Sequence, residues 1–136
     1  MFNNVMVIDD SQVDLYVSKR MMTKVNFAQD IITMDSAREA LGILETDEHT
    51  DREPPNLILL DINMPGMNGF EFLQEFKNLA EKVKNRWAIV MLSSSSNTKD
   101  REAAAENPFV KRYLSKPLSK ELLEHLNLIS SELISA

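Results

Sequence analysis

Residues 57–60, Leu-Ile-Leu-Leu, are apolar at every position. A strand with one face in water alternates apolar and polar residues, because successive side chains point to opposite sides of the pleat. An unbroken apolar run of this length, entered from the polar, Pro54-Pro55-containing loop 46–56 and ended by Asp61, predicts a strand covered on both faces. That environment is typical of a parallel sheet with helices packed on either side.

The rest of the chain repeats the alternation. Residues 5–8, 31–34, 88–92 and 110–114 read as four more short strands. Between them lie helical stretches. Ser11 is a plausible N-cap for a helix over 12–24, with Asp14 as its capping-box partner and Val13, Val17 and Met21 as the buried stripe. Ser36 caps 37–45. The Met64-Pro65-Gly66 turn leads into a helix over 69–84 with Phe72, Phe76 and Leu79 inward. A short helix starts at Asn97 or Thr98 and runs to 106. Ser119 caps a last helix with the stripe Leu122, Leu126, Ile129 and Leu133. Five strands alternating with five helices predict a three-layer α/β sandwich, since right-handed crossovers place helices on both sheet faces. At 136 residues the chain has room for one such core, so a single domain over 1–136 with no output domain is expected.

Composition removes several functional classes. The longest apolar run, 87–92, is far short of the roughly 20 residues that cross a bilayer, and Asp9-Asp10 cut off the first apolar stretch before it can serve as a secretory signal. A cytoplasmic protein without membrane insertion is expected. The absence of cysteine excludes disulfides and thiolate metal sites. A net charge of −6 opposes direct binding to nucleic acid.

In open parallel sheets the reactive crevice lies beyond the carboxyl ends of the strands. Asp9 and Asp10 follow the first strand, Asp61 the third, Ser93 and Ser94 the fourth, and Lys116-Pro117 the fifth. Each is ordinary alone, as a helix-end acid, a turn residue or a surface lysine. Together they make a coherent set. Crowded carboxylates repel unless a cation intervenes, and Mg²⁺ prefers oxygen ligands while keeping exchangeable waters. Asp10 and Asp61 are the expected direct ligands, Asp9 acts mainly through water, and Asn63 adds its backbone carbonyl. A carboxylate can also attack phosphorus to give an acyl phosphate. Asp61 is then the phosphoacceptor, with Lys116 and either the Ser93 hydroxyl or a nearby backbone N–H stabilising the charge on the transferring group.

The segments 7–10, 59–69, 90–94 and 113–117 carry the pattern Val-Ile-Asp-Asp, Leu-Leu-Asp-Ile-Asn-Met-Pro-Gly-Met-Asn-Gly, Val-Met-Leu-Ser-Ser and Tyr-Leu-Ser-Lys-Pro. Over nearly its whole length the chain resembles the receiver domains of two-component response regulators, of the chemotaxis-receiver kind. The resemblance implies a flavodoxin-like (βα)5 fold with strand order 2-1-3-4-5. It implies that a histidine kinase or histidine phosphotransfer protein donates to Asp61 with Mg²⁺ as cofactor, and that the aspartyl phosphate signals to a downstream protein. It further implies a switch pair, Ser93 and Tyr113, acting on the face made by the fourth helix, fifth strand and fifth helix, and a cis peptide before Pro117. Asn63 and Ser95 occupy the positions that tune hydrolysis. Ser rather than Thr at the switch position loosens its rotamer, and the run of four serines leaves Ser93 and Ser94 as alternative registers. The expected assembly is a monomer or a phosphorylation-dependent dimer.

Two other functions fit parts of the pattern. A haloacid-dehalogenase-like phosphatase also forms an aspartyl phosphate after a strand, but needs an Asp where Asn63 stands. A phosphorylation-independent interaction module would retain the fold without using the complete acidic set. Self-catalysed phosphotransfer and autodephosphorylation, rather than enzymatic turnover of a metabolite, is the expected chemistry.

Overall fold

A computed structural model of the protein describes residues 2–46, 52–94 and 98–134. The elements run β1 (Phe2–Ile8), α1 (Gln12–Lys24), β2 (Ala28–Met34), α2 (Ala37–Thr46), β3 (Asn56–Asp61), α3 (Gly69–Phe76), α4 (Glu81–Lys84), β4 (Trp87–Ser93), α5 (Thr98–Glu106), β5 (Val110–Ser115), α6 (Lys120–Leu128) and α7 (Ser130–Ile134). All strand pairs are parallel, and the order is β2-β1-β3-β4-β5.

The buried residues of β3 and β4, and of β1 from Val5 onward, divide by parity between two cores, as the period of the pleat requires. Met6, Ile8, Ile58, Leu60, Ile89 and Met91 point to one face, where they meet Leu41 and Leu44 of α2, Phe72 and Phe76 of α3 and Ala104 of α5. Val5, Val7, Leu57, Leu59, Val90 and Leu92 point to the other, against Leu15 and Met22 of α1 and Leu123 and Leu126 of α6. Every residue of β3 is buried, as the continuous apolar run predicts.

Local chemistry sets the helix ends. Ser11 Oγ accepts the Asp14 N–H at 3.2 Å, but the box does not close: Ser11 donates its own N–H to Asp9 Oδ1 at 2.9 Å. The closed capping box is instead on α3, where Asn68 Oδ1 accepts the Glu71 N–H and Glu71 Oε1 accepts the Asn68 N–H. The far end of α1 is a Schellman turn. Asn26 adopts φ of 52° and donates its N–H to the Thr23 carbonyl, and Phe27 donates to the Met22 carbonyl. Phe27 and Met22 are both fully buried in the same core, the apolar contact that accompanies this motif.

Three expected features differ. The fully inward residues of α1 are Leu15 and Met22, with Met21 half-buried against the same core as expected, whereas Val13 and Val17 are 70% and 48% exposed. The Asp9–Ser11–Asp14 hydrogen bonds fix where the helix starts, and so fix its rotational phase regardless of which stripe is more apolar. On α6 it is Leu123, not Leu122, that joins Leu126 in the core. The expected helix 69–84 breaks after Phe76. Asn78 and Leu79 donate to carbonyls three residues back, the Asn78 amide reaches the Gln74 carbonyl at 3.5 Å, and Lys84 Nζ takes the Lys77 carbonyl at 2.9 Å. Side chains thus satisfy carbonyls that a continuing helix would have used.

Candidate functional site

The ends of β1, β3 and β5 converge on one cavity of about 400 Å³, lined among others by Asp9, Asp14, Asp61, Ser94, Lys116 and Pro117. Asp9 lies one residue beyond β1, its main-chain N–H held by the Met34 carbonyl of β2 at 3.0 Å. Asp61 is the last residue of β3. Both are buried, and Asp10 is exposed. One carboxylate oxygen from each of the three lies within 4.8 Å of the others, the one such grouping of acidic and metal-ligating side chains among the described residues.

Lys116 reaches this cluster from the turn after β5, anchored by its main-chain N–H donating to the Ser93 carbonyl at 2.8 Å and followed by a cis peptide to Pro117. Its ammonium donates to Asp9 Oδ2 at 2.7 Å and to Asp14 Oδ2 at 3.2 Å, and lies 3.6 Å from Asp61 Oδ1. Burial, opposed by the Lys116 charge and reinforced by those of Asp9 and Asp10, pushes the Asp61 carboxyl up from 3.8 to about 6, although the Asn63 main-chain N–H bonded to it pulls the other way. Burial works to lower the Lys116 pKa, but the hydrogen bond to Asp9 and the charges of Asp61 and Asp9 outweigh it and hold the group above its usual value. The site therefore has one cation against four carboxylates, and the acid at its centre has its carboxyl pushed up to about 6.

The donor set fits a hard divalent ion. Both Asp9 oxygens are engaged, one with the Ser11 N–H and one with Lys116, so Asp10 and Asp61 are left as the carboxylates for direct ligation. A hydroxyl lies on either side of the β4 terminus. Ser93 is fully buried and paired with Ser115 across β5, whereas Ser94 is exposed and lines the cavity. Tyr113 sits opposite Met91 in β5, packs on the first core, encloses its hydroxyl without a protein partner, and lies 5.1 Å under the Arg101 guanidinium. Ser95 lies outside the described residues.

Two contributors were not singled out as site residues from the sequence. Asp14, taken for a capping residue, directs its carboxylate at Lys116. Gly69 has its Cα so close to the end of β3 that a Cβ there would lie 2.8 Å from the Asp61 carbonyl oxygen and 3.0 Å from the Ile62 Cα. Its N–H donates to the Ile62 carbonyl at 2.9 Å, tying α3 to the end of β3. The Met-Pro-Gly turn with Gly66 at φ of 78° was the visible signal that β3 turns sharply here.

The crystal structure of a two-component response regulator from Cytophaga hutchinsonii superposes with a TM-score of 0.86, at 29% identity, covering 96% of this chain and 98% of that one. A response regulator receiver protein from Dyadobacter fermentans gives 0.82 at 32% identity, over 92% and 95% of the two chains. The two-component response regulator ORR3 of Oryza sativa is 31% identical over 115 residues, spanning 85% of this chain and 80% of the relative. Residues 5–127 match the response regulator receiver domain family, and the chain belongs to it.

Proposed function

We propose that the protein is a phosphorylation-dependent switch of a two-component system or phosphorelay, with Asp61 as the phosphoacceptor. The observation that carries this is the position of Asp61: a buried carboxyl at the end of the central strand, 3.6 Å from an ammonium and within 4.8 Å of two further carboxylates. Mg²⁺ bound by Asp10, Asp61, the Asn63 carbonyl and, through water, Asp9 would neutralise the carboxylates and withdraw charge from the phosphoryl oxygens.

The protein's own groups do the rest. An Asp61 oxygen forms the new bond to phosphorus while the phosphorus–nitrogen bond of the donor phosphohistidine breaks. The imidazole nitrogen leaves with the bonding pair, and the ring departs neutral because its other nitrogen keeps a proton. Lys116 offers positive charge to one phosphoryl oxygen and the Ser93 hydroxyl donates to another. Drawing Ser93 toward the phosphoryl group and fixing Tyr113 inward biases the face of α5, β5 and α6 toward a downstream protein, by no more than the difference in contacts between the two states. The donor is a histidine kinase or phosphotransfer protein. Val13 and Tyr16, 70% and 64% exposed on α1 beside the crevice, supply an apolar landing surface for it. Autodephosphorylation, not turnover of a substrate, returns the switch, and the protein works in the cytoplasm without binding nucleic acid.

The test is intact-mass measurement after incubation with acetyl phosphate and Mg²⁺. Wild type gains one phosphoryl group, chelation of the metal abolishes the gain, and Asp61→Asn shows none. A gain that survives Asp61→Asn refutes the assignment of the acceptor.

A further inference from the structure

The acceptor's lysine does not hydrogen-bond the acceptor. Of the three N–H donors on the Lys116 ammonium, one goes to Asp9 at 2.7 Å and one to Asp14 at 3.2 Å, while Asp61 at 3.6 Å is beyond hydrogen-bond reach. Asp9 is needed where it is, because its second oxygen fixes the start of α1 through the Ser11 N–H. Asp14 is not so constrained. Its contribution to the helix cap is its main-chain N–H, and its carboxylate has turned to the crevice.

We infer that Asp14 is a positioning residue that restrains Lys116 short of Asp61, so that each phosphorylation must first draw the ammonium away from a competing carboxylate. The inference rests on Asp61 being the phosphoacceptor. Phosphoryl transfer from acetyl phosphate forms the Asp61 oxygen–phosphorus bond and breaks the phosphorus–oxygen bond to acetate, which leaves as the carboxylate with the bonding pair. The incoming group is anionic, and a fourth carboxylate beside the one ammonium weakens the attraction it meets. Restraint by Asp14 therefore slows the forward reaction. The Asp14 side chain is 49% exposed and Lys116 18%, so the effect is that of a partly screened ion pair, about two- to fivefold in rate.

The experiment compares full-length wild type, Asp14→Ala, Asp14→Glu and Asp35→Asn in second-order rate constants for phosphorylation by acetyl phosphate with saturating Mg²⁺. Crystal structures of wild type and Asp14→Ala accompany it. Alanine preserves the cap, which uses only the main chain, and suits a helix interior. Asp35 is a rim carboxylate bonded to Gln12 at 2.8 Å, and controls for loss of negative charge near the site. Asp14→Ala is expected to react about two- to fivefold faster, with the gain shrinking as NaCl is raised. Asp14→Glu is expected to restore the wild-type rate, and Asp35→Asn to leave it unchanged. Lys116 Nζ in Asp14→Ala is expected to close on Asp61 from 3.6 Å to hydrogen-bond distance. An unchanged rate, an unchanged Lys116–Asp61 distance, or an equal gain in Asp35→Asn overturns the inference while leaving the acceptor assignment standing. A wild-type protein that takes no phosphoryl group overturns the acceptor assignment and the inference with it.

Discussion

Asp61 ties stability to pH with a sign opposite to that of most native carboxylates. Its carboxyl is near 3.8 in the unfolded chain and about 6 in the folded one, so between those values the folded state holds more protons and stability falls as pH rises. The penalty is absent below about 4 and complete above about 6, and the gap of about two units limits it to roughly 3 kcal/mol. Asp61→Asn is therefore expected to be about 1–3 kcal/mol more stable than wild type in metal-free urea titrations at pH 7.5, with the two converging near pH 4. The neighbouring hydroxyls make a second test at this scale. Ser93 is enclosed at the end of β4 while Ser94 faces the crevice, so their alanine variants separate the two registers. Ser93→Ala is expected to slow Asp61 phosphorylation and to abolish the beryllofluoride-induced chemical-shift changes of Tyr113, whereas Ser94→Ala retains both the rate and the shifts. The reverse pattern moves the switch role to Ser94.

At the scale of elements, the β3–α3 junction is where packing and chemistry share atoms. A side chain at Gly69 would press on the main chain of residues 61 and 62, which cannot give way as a flexible side chain would. Gly69→Ala is expected to cost about 1–3 kcal/mol in urea unfolding and to slow the phosphorylation proposed at Asp61, since the strain falls on that residue's own peptide. This junction also marks the limit of what the sequence discloses. Uniformly apolar runs such as 57–60 and 88–92 located the central strands, because a strand buried on both faces has few alternatives, and the edge strands followed from the alternation with helices. Residues directly following those runs could therefore be assigned to one edge, and the acidic cluster and Lys116 do meet there. The phase of α1 was not legible. Val13, Val17 and Met21 form as regular a series as Leu15 and Met22, and hydrogen bonds in the preceding turn set a phase in which only Met21 of the first series reaches the core. Asp14 was misread for the same reason, since its partner lies 102 residues away and no local pattern announces it.

For the molecule as a whole, parity along β3 and β4 and from Val5 onward in β1 assigns the buried residues to one of two layers, so the domain is two half-cores sharing one wall. The shared wall is β3, bonded to β1 on one side and β4 on the other with all six residues buried. No local opening can bring its amides to water, because both neighbours and both helical layers would have to separate first. In heavy water its backbone deuterons should appear only at the rate of global unfolding, the slowest in the chain, while β2 and β5, at the sheet edges, label sooner. Faster labelling of β3 than of the edge strands would contradict this. The phosphoryl group would thus be written onto the part of the protein that opens last, and the message would be carried off by the margins that open first.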